Sequence, residues 1–167
     1  MSWYEFLASD VPMNDVENPR VQWISLREAL ERGKPVPEWV RESIDLDKAG
    51  TVLWFESEED LHEIEITKID RHMYTDEAGI FPHVDLPYFS SLEWRYTEER
   101  AARLIDYIRE HLSKASVVEL WGYWDGFETD KSKSRRREIT ADALTPEYLA
   151  SLRVENPYDY DCIVIRP

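Results

Sequence analysis

One helical face is written plainly between positions 97 and 112. Ala101, Leu104, Ile105, Ile108 and Leu112 recur at the spacing of a single continuous stripe. Thr97 stands where an N-cap belongs, and Glu98 and Glu99 fill the first turn, where the helix dipole favours acids. A stripe of this kind has to be covered by a second apolar layer, and strand-like runs supply one. Residues 3–8, 21–24, 51–55, 117–124 and 161–166 are rich in large apolar side chains, and the run 51–55 is expected to be buried on both faces. Residues 62–67 alternate polar and apolar, as a strand with one wet face does.

Shorter helices fit between these runs. Ser25, with Glu28 three residues on, makes a capping-box start, and Gly33 stops that helix. Pro37 opens a brief helical turn over 38–41, and Thr145-Pro146-Glu147 begins another helix that runs to Leu152. Asp125-Gly126 signals a turn, with a return strand expected around 136–139 and the basic run between them at a hairpin tip. From about Lys68 to Pro87 no period is legible, and the segment reads as a long loop. The expectation is an α+β fold: one domain over 1–167, a mixed or mostly antiparallel sheet, and helices packed on one face.

The charge balance narrows the partners. Thirty-five acidic side chains stand against twenty basic ones, for a net charge of −15. A surface of that sign repels phosphate, so neither nucleic acid nor an anionic membrane is expected as a partner. The one concentrated basic stretch is Lys131, Lys133, Arg135, Arg136 and Arg137, bracketed by Asp130 and Glu138. The single cysteine, Cys162, has no partner for an internal disulfide and lies in an apolar run, which suits a packing thiol. The opening residues carry neither a basic stretch nor a long apolar one, so no signal peptide is expected, and a cytoplasmic location follows.

Three constellations are candidates for function. Asp70, His72, His83 and Asp85 flank the long loop, and their imidazole and carboxylate atoms suit a divalent ion, with His62-Glu63 upstream. The aromatic set Trp94, Tyr96, Trp121, Tyr123 and Trp124 either packs under the long helix or forms a partner-binding patch with an acidic rim. Glu93, Glu119 and Asp125, with Trp94, Trp121 and Trp124 near them in sequence, are candidates for the paired carboxylates of glycoside hydrolysis. Glu119 falls between Val118 and Leu120 and should face away from both; if that side is covered, its pKa would rise. Phosphate-binding glycine loops, paired-cysteine motifs and the short serine- or zinc-hydrolase signatures do not occur, and no cofactor is expected.

Three segments, Phe6-Leu7-Ala8-Ser9-Asp10-Val11-Pro12, Ser25-Leu26-Arg27-Glu28-Ala29-Leu30 and Leu92-Glu93-Trp94-Arg95-Tyr96-Thr97-Glu98-Glu99-Arg100-Ala101, resemble a group of small acidic bacterial proteins without assigned function. In size and charge the chain is also similar to bacterial immunity proteins, which bind toxins. The resemblance implies no activity. The leading expectation is a non-enzymatic module that binds a basic protein as an inhibitor does. A small hydrolase or metal-dependent enzyme using the acids and histidines of 62–85 is the alternative, and a homo-oligomeric structural protein is the third.

Overall fold

The long helix finds its covering layer in a six-stranded sheet. A computed structural model of the chain describes residues 3–70, 84–124, 135–152 and 161–167. Its strands are β1 (Trp3–Ser9), β2 (Gln22–Ile24), β3 (Val52–Trp54), β4 (Glu65–Ile69), β5 (Tyr88–Glu93), β6 (Val118–Trp124), β7 (Arg135–Thr140) and β8 (Asp161–Arg166). Its helices are α1 (Leu26–Glu31), α2 (Glu38–Ser43), α3 (Glu98–Leu112) and α4 (Pro146–Leu152). The large sheet has the order β4-β5-β1-β6-β8-β7, antiparallel throughout except for the β7–β8 pair. This is the α+β architecture the sequence led us to expect, a single domain whose described residues divide into two compact units. The larger unit is Met1–Glu17 with Ile64–Pro167, and the smaller is Asn18–Glu63.

In the larger unit, α3 presents its stripe to the sheet. Ala101, Leu104, Ile105, Ile108 and Leu112 are all buried, in one cluster with Leu7, Leu92, Leu120, Ile163 and Ile165 from the strands and Leu149 from α4. Each such Leu or Ile stabilises the fold by about 1.5–3 kcal/mol relative to an exposed position. Thr97 caps α3 as expected, its hydroxyl accepting the Arg100 amide at 3.1 Å. The Arg109 guanidinium donates to the carbonyls of Ala141 and Leu144, which fixes the chain leading into α4. The opposite face of the sheet carries a second cluster of Phe6, Ala8, Phe89, Val117, Trp121, Cys162 and Val164.

Strand β5 is where the sequence reading fell short. It occupies 88–93, beyond the expected loop, and joins β1 to β4. Its side chains reach both clusters, Phe89 on one face and Leu92 on the other. Ser90 and Ser91 interrupt the apolar pattern that normally betrays such a strand, yet Ser90 is fully buried. The expected hairpin between β6 and β7 is also corrected: β8 stands between them. Physically the order makes sense. Cys162, Ile163, Val164 and Ile165 are buried and need a neighbour on each side, whereas Arg-Arg-Arg-Glu suits an edge.

The smaller unit is built on the antiparallel β2–β3 pair, Gln22 opposite Trp54 and Ile24 opposite Val52, with α1 and α2 in the connection between them. Ser25 caps α1 by accepting the Glu28 amide at 3.2 Å, while the Glu28 carboxylate turns to Arg32 instead of closing a capping box. Gly33 ends that helix at φ +81°, a conformation an L side chain resists. Ile24, Leu26 and Ala29 form the buried part. Residues 51–55 are only half-buried, since β3 pairs with a single three-residue strand rather than lying inside the large sheet. Asn18 is buried within this unit, donating to the Asp60 carbonyl at 2.8 Å and accepting the Arg20 amide at 2.9 Å.

Candidate functional site

The described members of the aromatic set do not assemble into one surface. Trp94 and Tyr96, in the connection from β5 to α3, lie together with ring centroids 6.1 Å apart and pack half-buried against the α3 cluster. The Trp94 indole N–H donates to Glu5 Oε2 at 2.8 Å, and the Tyr96 hydroxyl donates to the Pro146 carbonyl at 3.1 Å. Trp121 sits on the other face of the sheet at 2% exposure, stacked on Phe6 with centroids 5.9 Å apart. The side chains of Tyr123 and Trp124 lie outside the described residues. Each described member of the set is thus spent on packing within the larger unit.

The four metal candidates are only half in view. Asp70 follows β4 and Asp85 precedes β5, both exposed, while His72 and His83 lie outside the described residues. Among the described residues no group of three or more His, Cys, Asp or Glu side chains is placed to hold an ion. Lys131, Lys133 and the Arg135 side chain are likewise outside the description. Cys162 is fully buried between strand neighbours, as a packing thiol is.

Arg136 has a defined role. From edge strand β7 it reaches the Glu119 carboxylate, which is 1% exposed on the second face of the sheet. The Trp121 indole N–H donates to the other carboxylate oxygen at 2.9 Å. Burial pushes the Glu119 pKa up from its ordinary value, the indole and guanidinium pull it back, and Asp85 adds to the rise. The alternation that set Glu119 apart from Val118 and Leu120 therefore does carry it to a covered side.

A second buried polar pair had no sequence signal, because its members lie 102 positions apart. Ser9 ends β1, and its Oγ lies 2.8 Å from His111 Nε2 in the last turn of α3. The same oxygen contacts the Val117 carbonyl at 3.2 Å and accepts the Val11 amide at 3.3 Å. The His111 ring stacks on Tyr107, 6.5 Å between centroids, and burial lowers its pKa, with Lys114 adding to the effect and Asp10 opposing it. Beside the pair opens a cleft of about 250 Å³ lined by Asn14, Tyr107, Glu110, His111 and Lys114. Serine and histidine at this distance resemble the start of a catalytic nucleophile. Ser9, however, has 0% exposure and all its hydrogen-bonding capacity engaged. The pair locks β1, α3 and the entry to β6 together.

Two indoles face solvent in the smaller unit, as the less exposed rings of Tyr4 and Tyr88 do in the larger. Trp23 on β2 is 66% exposed and Trp39 on α2 is 71% exposed. Trp23 is turned away from Ile24 by strand alternation, and Ile24 is the residue that packs. Residues 18–63 carry eleven acidic and six basic side chains. Glu31, Glu38, Glu42, Asp45, Asp47, Glu56, Glu58 and Glu59 are all exposed. Arg20, Arg27, Arg32, Arg41 and Lys48 are exposed as well, but several of the bases already have partners within the unit. Arg27 forms a two-point pair with Asp47 at 2.5 and 2.9 Å. Arg32 lies over the Trp54 ring at 5.1 Å and pairs with Glu28, and Lys34 lies over the Phe55 ring at 4.8 Å and donates to the Leu53 carbonyl. The exposed surface of this unit therefore holds eight carboxylates against five bases, together with the two indoles.

Comparison with known proteins finds no matching family model, no similar curated protein and no similar solved structure. Among the described residues no helix is long and apolar enough to cross a membrane.

Proposed function

We propose that this chain is a non-enzymatic, acidic protein-binding module of the inhibitor or immunity kind, acting in the bacterial cytoplasm on a basic protein. Nucleic acid and membrane play no part in this reading, since a net charge of −15 opposes both. The observation that carries it is the exposure of Trp23 and Trp39 on a unit whose exposed carboxylates outnumber its exposed bases. Large aromatic side chains supply most of the affinity in protein interfaces, and a surrounding field of one sign speeds encounter with the opposite sign. The anchors differ from those the sequence suggested, because Trp94, Tyr96 and Trp121 are engaged in packing.

The test is capture from the host at low salt, identification of the captured protein, and titration of the purified pair. A basic partner that binds one-to-one, weakens as salt rises, and is lost with Trp23→Ala but kept with Trp94→Phe supports the proposal. Recovery of only further copies of this chain would replace it with the homo-oligomer.

A further inference from the structure

Resting on the reading just given, we infer that the smaller unit recognises arginine side chains of its partner, with Trp23 and Trp39 as stacking platforms. The unit already holds one arginine in this way. Arg32 lies 5.1 Å from the Trp54 ring centroid, pairs with the Glu28 carboxylate at 2.5 Å and reaches Gln22 Oε1 at 3.4 Å. A planar guanidinium can lie on an indole face while its N–H edge pairs with a carboxylate, whereas an ammonium keeps its hydration and has no flat face. Indole beside carboxylate recurs on the outer surface. On α2, Glu42 follows Trp39 by three residues, which places the two side chains on one helix face, and both are exposed. On β2, Trp23 lies on the strand face opposite Gln22 and Ile24 and turns its indole to solvent. The occupant this surface fits is an arginine-bearing segment of a basic protein.

Two synthetic peptides of equal length and charge test it, one with five arginines spaced by serine and one with five lysines spaced by serine. Affinity is followed by fluorescence anisotropy at low ionic strength, and contact by the NMR shifts of the Trp23 and Trp39 indole N–H groups. The arginine peptide should bind more tightly and move both indole signals. Trp23→Ala and Trp39→Ala should each weaken it by about two- to fivefold and leave the lysine peptide unchanged. The wild-type shifts read the contact without relying on any variant. Equal binding of both peptides, with the indole signals still, overturns the arginine inference and leaves a docking surface that works by charge alone. No binding of either peptide at low salt overturns both.

Discussion

The described tryptophans of the two units are used differently. In the larger unit, Trp121 is stacked on Phe6 and hydrogen-bonded to Glu119, and Trp94 is tied to Glu5. In the smaller unit, Trp54 carries a guanidinium on its face, but Trp23 and Trp39 stand in solvent. The difference follows from the size of the sheet. Six strands and a fifteen-residue helix offer two covered faces on which aromatic rings can be buried. A two-stranded sheet of three-residue strands with one short helix against it does not. Exposed aromatic surface that the unit has no means to cover is what an interaction site is made from.

The contrast breaks most readily in the core. Leu104→Ala leaves a cavity beneath α3, where Leu104 is fully buried, and should cost about 2–5 kcal/mol in urea unfolding. Residues of the smaller unit outside its buried trio should show nothing comparable. A Leu104→Ala loss below about 1 kcal/mol would mean that the α3 layer is not what holds the larger unit together.

Next in size is the Glu119 pair. Arg136→Ala removes the cation from a covered carboxylate and should cost about 1–3 kcal/mol at pH 7, tempered because the Arg136 side chain is 45% exposed. The pH dependence has a definite sign. The folded pKa of Glu119 lies above its ordinary 4.5, so the folded state takes the proton more readily than the unfolded one. Its contribution is fully present below 4.5 and is lost as pH rises through the raised value. Glu119→Gln should flatten that slope, and acidification should restore part of what Arg136→Ala loses. Unfolding midpoints from pH 4 to 8 for the three proteins decide the matter. Parallel curves would show that the carboxylate is not the titrating group.

His111 should act in the opposite direction and more weakly. Its folded pKa lies below the ordinary 6.5, so the unfolded state binds the proton first. Stability is held above 6.5 and lost as pH falls through the lowered value. Ser9→Ala removes the hydroxyl that His111 Nε2 meets, and about 1 kcal/mol of stability is expected to go with it at pH 8. His111→Asn should remove the acid-side slope in the same urea titrations; an unchanged slope would assign it elsewhere.

What could be read in the sequence was what short-range spacing encodes. The α3 stripe, the Thr97 and Ser25 caps and the outward turn of Glu119 each depend on residues a few positions apart. Strand β5 stayed hidden because its middle is a serine pair, Ser90 buried and Ser91 half-buried, and a serine pair carries no apolar period. The place of β8 between β6 and β7 depends on which strand needs two neighbours, a property of the whole sheet. The aromatic site was assigned to Trp94 and Trp121 because composition shows a tryptophan without showing its cover. A signal for Trp23 did exist: it alternates against Ile24 in a run closed off by Pro19 and the Ser25 cap, too short for a place inside a large sheet. The Ser9–His111 lock is formed only when β1 meets the end of α3.

The smallest expected effect discriminates best between the two units. Trp23→Ala and Trp39→Ala remove the two most exposed large apolar side chains described, so each should shift the urea midpoint by no more than about 0.5 kcal/mol of stability. Exposure alone makes this a near-zero prediction, and its value lies in the pairing with Trp121→Ala. Trp121→Ala empties a stacked site at 2% exposure and strips the N–H donor from Glu119, and it should cost about 3–5 kcal/mol. A residue retained for packing loses stability when truncated, whereas one retained for a partner loses binding and leaves stability intact. If Trp23→Ala unfolds the smaller unit as readily as Trp121→Ala unfolds the larger, the indole is a structural member of its two-stranded sheet and the docking surface has to be sought elsewhere.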